Sequence, residues 1–159
     1  MPRLTNQVAE HARRLAWDYG KRYGINEKTI PVVIDDTGVG GGVTDQADGY
    51  NFVPMLFGGE PIRKEWYYNK RAELWFDLAL AARYRDVSFR KLPTAMQNTL
   101  RNQALAAEYE YVNSRKKMRP KEEAAAKLGG RSPDEIESLL LAFADVSSMG
   151  QERVVGFVR

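Results

Sequence analysis

Apolar positions recur at helical spacing from the start of the chain. Leu4, Val8, Ala12, Leu15, Ala16 and Tyr19 fall on one face, so residues 4–23 are expected to form a helix, with Thr5 or Asn6 as its cap. Gly20 and Gly24 loosen the chain, and Pro31 opens a different pattern. "VVID", residues 32–35, is a short continuous apolar run of the kind found in a sheet covered on both faces. A glycine-rich stretch follows, and "GVTDQ" (42–46) is expected to begin a short helix. "YNFVPML" (50–56) reads as a second strand, which Pro54 pushes towards an edge or an end. Helix, strand, helical turn and strand in that order indicate an α/β fold.

The second half begins with a loop, "FGGEPIRKE", and then the strongest helical pattern, residues 66–85. Tyr67, Leu74, Leu78 and Ala81 form one stripe, and Tyr68, Ala72, Trp75, Ala79 and Ala82 lie beside it. Lys70, Glu73 and Asp77 are expected on the opposite, solvated side. Trp66 and Trp75 are expected in the core. Residues 92–109 continue as a helix after Pro93, "YEYVNS" (109–114) alternates as a strand does, and 120–128 is a short alanine-rich helix. In "GGRSPDEIESLLLAFAD", Ser132 is a natural N-cap, Pro133 a first helical residue, and Glu135 stands at the capping-box position. The tail "ERVVGFVR" reads as a final strand or as disordered chain. Without an internal repeat or linker, the 159 residues read as one domain.

Composition excludes several classes of protein. No apolar run is long enough to span a bilayer, and the polar, helical start is not a secretory signal. Without cysteine there is neither a disulfide framework nor a thiolate site, which suits a reducing cytoplasm. A single histidine, His11, rules out any site that needs two. The net charge of +3 is mild, but the cations are clustered. Arg63 and Lys64, Lys70 and Arg71, Arg83 and Arg85, and Arg90 and Lys91 come as close pairs, and "SRKKMRPK" (114–121) is denser still. One such cluster reads as a solvated face; several beside carboxylates favour a polyanion partner.

The carboxylates carry the candidate chemistry. Asp35 and Asp36 end the first strand, where neighbouring side chains point to opposite faces, so only one can aim into a given site. The alternative is that both form the following turn. Asp134 and Glu137 are three apart on a helix and share a face. The alternative there is favourable placement against the helix dipole, which explains Asp134 and Glu135 better than Glu137. An all-oxygen ligand set points to Mg2+ or Mn2+ rather than zinc. "GVGGGVTD" is neither a P-loop nor a dinucleotide fingerprint, so its glycines are expected to clear space for a nucleic-acid backbone.

Three stretches together resemble the C-terminal nuclease part of bacteriophage terminase large subunits. They are "VVIDDTGVGGGVTD" (32–45), "YYNKRAELWFDLA" (67–79) and "KLGGRSPDEIESLLLAFA" (127–144), in matching order and spacing. The resemblance runs over about residues 4–145 and leaves 146–159 as a tail. It implies an RNase H-like fold related to the Holliday-junction resolvases, a mixed sheet flanked by helices. It implies a metal-dependent endonuclease of phage or prophage DNA packaging, in which two ions hydrolyse a phosphodiester of double-stranded DNA in the cytoplasm of a bacterial host. Carried over by motif, the metal ligands are Asp35 (Asp36 the second choice), Asp134 and Glu137, the last standing where the family more often has aspartate. Arg115, Lys116, Lys117 and Arg119 would steer the duplex, and Lys70, Arg71 and Glu73 lie in a stretch read as scaffold with DNA contacts.

The family's first catalytic aspartate sits on a strand upstream of the helix that begins this chain, and no Walker A motif of the ATPase motor is present. The chain is therefore expected to be a partial nuclease domain with impaired cleavage. It is also expected to have an open sheet edge that invites pairing with another copy. The alternative function is a module that binds DNA, or another terminase or portal subunit, without cutting.

Overall fold

The computed structural model describes residues 5–37 and 41–145. The expectations for Leu4 and for the tail "ERVVGFVR" lie outside the described residues. The chain forms two compact units, Met1–Leu56 with Ala144–Arg159, and Phe57–Phe143.

In the first unit, helix α1 (Thr5–Tyr23) leads through a single 3-10 turn, Glu27–Thr29, into strand β1 (Val32–Asp35). A short helix α2 (Gly41–Thr44) and strand β2 (Phe52–Met55) follow. The strands pair in parallel, Val32 opposite Phe52 and Asp35 opposite Met55, so α2 lies in the crossover that parallel pairing requires. The buried face of α1 is a stripe of small residues, Ala9, Ala12, Ala16 and Gly20. Val8, Leu15 and Tyr19, expected inside, are exposed.

Gly20 explains the close packing at one end of that stripe, because a Cβ there would stand 2.6 Å from the Ile25 carbonyl oxygen. Gly42 has a similar role: its Cβ would meet Thr5 Cγ2 at 3.2 Å, so α2 can rest against α1. At Gly42 the missing side chain serves packing rather than a ligand. Arg13 fastens the connection, donating to the Gln46 carbonyl at 2.5 Å and to Asp48 Oδ2 at 2.6 Å. The run "VVI" is half-buried rather than covered on both faces. Among the described residues β1 has a partner on one side only, and so does β2, whose free edge accommodates Pro54.

The second unit contains α3 (Lys70–Tyr84), α4 (Thr94–Ala106), the hairpin β3 (Tyr109–Val112) and β4 (Arg115–Met118), α5 (Lys121–Lys127) and α6 (Asp134–Leu141). Leu74, Trp75, Leu78, Leu100, Met118, Ile136 and Leu140 form its core. Three expectations are corrected here. Residues 66–69 are not helical. Asn69 caps α3 by accepting from the Ala72 N–H at 3.0 Å, and the backbone before it is already engaged. The Tyr68 N–H donates to the Lys116 carbonyl and the Lys116 N–H to the Trp66 carbonyl, both at 2.9 Å. Trp66, held on this outer rung, is 59% exposed, whereas Trp75 is in the core as expected.

The basic run 115–118 forms a strand. Asn113 (φ 49°) and Ser114 (φ 63°) form the two-residue connection that joins β3 to β4, with Val112 opposite Arg115 and Tyr109 opposite Met118.

The third correction concerns α6. Ser132 and Glu135 do not form a capping box; instead α4 supplies the cap. Buried Gln103 accepts the Ile136 N–H at 2.8 Å and donates its amide N–H to Glu135. This satisfies a helix-end donor from a residue remote in sequence.

Candidate functional site

Asp35 is exposed at the end of β1, and its Oδ1 accepts the Thr37 N–H at 3.0 Å, the local bond of an Asx turn. Asp36 differs. Its N–H extends the ladder to the Met55 carbonyl at 2.9 Å, while its Oδ1 is buried with no hydrogen-bond partner among the described residues. A buried carboxylate oxygen without a donor costs free energy, on the order of 1–3 kcal/mol or more for a charged group. Of the two neighbours, Asp36 carries the unmet demand for a cation or donor.

Asp134 and Glu137 lie one turn apart on α6, and their partners differ. Asp134 is exposed and accepts from Ser132 Oγ at 2.5 Å. Glu137 is 7% exposed. Its Oε1 accepts Arg71 Nε–H at 2.9 Å and Nη2–H at 2.6 Å, and Arg71 Nη1 donates to the Arg119 carbonyl at 2.9 Å. One guanidinium thus joins α3, α6 and the residue after β4. Within each unit, the described residues bring no three acidic or histidine side chains together as a metal centre would need.

A second buried carboxylate, Glu73, falls on the face of α3 that the periodicity assigns to solvent, yet it is 2% exposed. The loop before α3 turns back over it. The Ile62 and Arg63 N–H groups donate at 2.9 Å each, Arg63 Nε at 3.0 Å and Lys70 Nζ at 2.6 Å. Burial alone would raise its pKa; the bonds from Lys70, the two backbone N–H groups and Arg63 outweigh that and lower it to about 2. For Arg63 burial acts against the charge, but bonds to Asp77 and Glu73 hold its pKa above the usual value.

The four cations expected to meet DNA have different surroundings. On β4, Arg115 and Lys117 share one face, and Lys116 points to the other. Arg115 and Lys117 lie over the Tyr68 ring at 5.2 and 4.8 Å. Lys116 lies over Phe76 at 4.4 Å and Tyr67 at 5.6 Å, continuing an aromatic row through Tyr109 and Tyr111. Arg119 is an ion-pair partner of Glu123 at 3.1 Å. The pairing of Arg71 with Glu137 and the burial of Glu73 were not foreseen in the sequence. Their only local signal is that the "NKRAE" stretch sets cations and an acid beside a helix cap.

The fold these elements form is shared with solved terminase nuclease domains. The nuclease domain of the large terminase subunit gp2 of bacterial virus Sf6 matches with TM-score 0.64 at 18% identity, over 87% of this chain and 73% of that one. A lysine-to-alanine mutant of that domain, solved with manganese and beta-thujaplicinol, matches with TM-score 0.62 at 15% identity over the same shares. A form with calcium matches with TM-score 0.56 at 17% identity, also over 87% of this chain. No protein-family profile matches the sequence, and no curated protein matches it. Among the described residues no helix is long and apolar enough to cross a membrane.

Proposed function

We propose that the chain is a terminase-type, divalent-metal-dependent DNA endonuclease domain. The observation that carries this reading is the fold, matched over 87% of the chain to a nuclease domain also solved with manganese. In this activity Asp35, Asp134 and Glu137 take the metal-holding roles implied by the motifs. Local geometry adds Asp36, whose unpaired buried oxygen suits a cation. A bound Mg2+ or Mn2+ supplies Lewis acidity for phosphodiester hydrolysis. Arg71 holds the Glu137 carboxylate through Oε1, so Oε2 is the oxygen that would be offered to a cation. Arg115 and Lys117, aligned over Tyr68, hold the duplex backbone.

Nicking of supercoiled plasmid in Mn2+ by the purified chain tests this. Asp36→Asn is expected to lose at least about 10–100-fold of the activity, the loss seen when even the outer shell of a metal site is disturbed. Asp35→Asn separates the two candidates. Nicking that survives Asp36→Asn but not Asp35→Asn returns the role to Asp35. A folded chain that nicks nothing favours the second reading, a DNA-binding module without cleavage. One observation supports that reading: the charge of Glu137 is already compensated by Arg71.

DNA contact is tested separately from cleavage. Arg115→Ala and Lys117→Ala are each expected to weaken duplex binding and to reduce the salt slope of log Kd by about 1. Arg119→Ala is expected to do less, because its charge is shared with Glu123. Fluorescence anisotropy across a salt series measures all three; equal effects would remove the distinction.

A further inference from the structure

The second half of α3, residues 78–84, is apolar except for Arg83, a pattern closer to that of a helix covered on most sides. Here only one side is covered. Ala79, Leu80, Ala82 and Tyr84 are exposed. Between α3 and α4 lies a groove of about 550 Å3 with an apolar floor of Trp75, Leu78, Leu100, Met118 and Ile136. Ala79, Ala82 and Ala104 form part of its walls and are exposed, so the groove opens to solvent. Such a volume is in the usual range of binding clefts, roughly 300–1,000 Å3.

The surroundings of the groove indicate its occupant. Arg101 is the charged residue in its wall. Ala82 and Phe89, also in the wall, adjoin Arg83 and Arg90–Lys91 in the chain. Residues 79–105 carry five cations, Arg83, Arg85, Arg90, Lys91 and Arg101, against one anion, Asp86. None of these cations is in an ion pair among the described residues. A phosphate backbone would match the rim but gain nothing from the floor. An amphipathic helix with an apolar stripe and acidic flanks matches both, in the helix-in-groove mode.

We infer that the α3–α4 groove is a docking site for an acidic amphipathic helix of a partner protein. No carboxylate of the proposed chemistry lines it. Burying α3's open side explains why its exposed half is built of Ala and Leu, and Arg101 with the cations that adjoin the wall in sequence sets which partners dock.

The test uses the full chain and a labelled synthetic helix of about 18 residues, five turns, with Leu at i, i+3, i+4 and i+7 spacing and Glu elsewhere. Controls are the same composition with Leu positions scrambled, a version with Lys for Glu, and a labelled DNA duplex. Anisotropy at about 150 mM salt, where long-range attraction is screened, is expected to give a Kd of order 10 µM for the acidic helix. The two control peptides are expected to bind at least about tenfold more weakly. Ala104→Glu and Arg101→Glu should each weaken the acidic helix about tenfold while leaving duplex binding unchanged. If Ala104→Glu does not fold, Ala79→Glu replaces it. Absence of binding, equal binding of the scrambled peptide, indifference to the variants, or loss of duplex rather than peptide binding would each overturn the inference.

Discussion

Replacing Glu73 by Ala is expected to remove about 3–5 kcal/mol of stability, the range for breaking a buried charge network by deleting one partner. That is a large part of the roughly 5–15 kcal/mol that holds a domain of this size together. The loss has several parts. Lys70, whose side chain is 12% exposed, would keep its charge without a partner. The Ile62 and Arg63 N–H groups would lose their acceptor. The loop before α3 would then be held chiefly by the Lys70 N–H to the Gly59 carbonyl at 2.8 Å and the Arg71 N–H to Phe57 at 2.9 Å. Glu73→Gln, which keeps the shape and one acceptor, should cost about half as much. Urea denaturation measures both, and hydrogen exchange at Ile62 and Arg63 shows whether the loop opens locally.

The same carboxylate gives a pH signature. Its folded-state pKa is lowered from 4.5 to about 2, so the unfolded chain takes up the proton first as pH falls. Stability from this group is complete above pH 4.5 and declines as pH falls from there towards 2. In Glu73→Gln that part of the acid dependence should vanish. An unchanged acid profile would show that Glu73 is not the group responsible.

Arg71→Ala is the second large effect. It leaves Glu137 buried and unpaired, an expected loss of about 3–5 kcal/mol. Glu137→Gln in the same chain should recover much of it, because the uncompensated charge is gone, and a double-mutant cycle measures the coupling. Arg71→Lys should not rescue it, since an ammonium cannot place two N–H groups on Oε1 and a third on the Arg119 carbonyl. The variant also bears on function. If Glu137 meets a metal, Mn2+ should raise the melting temperature of Arg71→Ala more than that of the parent chain, because the ion takes over the compensation. Equal shifts would make Glu137 a structural residue and strengthen the binding-module reading.

Much of the architecture was legible because it follows local periodicity. α1, β1, β2, α4, β3 and α5 fall where apolar spacing, Pro31 and Pro93 place them. What escaped depends on groups remote in sequence. The apolar pattern runs unbroken through Tyr67 and Tyr68, so α3 reads four residues too long; pairing with Lys116, far along the chain, pulls that segment out of the helix. β4 has no apolar alternation to announce it, since its polar side chains lie along aromatic rings. Glu73 reads as solvated because nothing in its helix shows that a loop eleven positions upstream folds back with donors. The carboxylate motifs were legible as types. That Asp36 carries the unpaired oxygen and that Arg71 holds Glu137 across 66 positions were not.

The two residues that join β3 to β4, Asn113 and Ser114, carry no charge, yet they govern the electrostatics of the hairpin. Both adopt positive φ, which asparagine tolerates and a β-branched residue resists. A substitution that forbids this conformation would force a different connection and shift β4 by one position against β3, exchanging its two faces. Lys116 would then leave the aromatic row, and Arg115 and Lys117 would turn into it. The charge pattern of this surface is therefore encoded in backbone handedness at an uncharged corner, and counting lysines and arginines along the strand cannot reveal it.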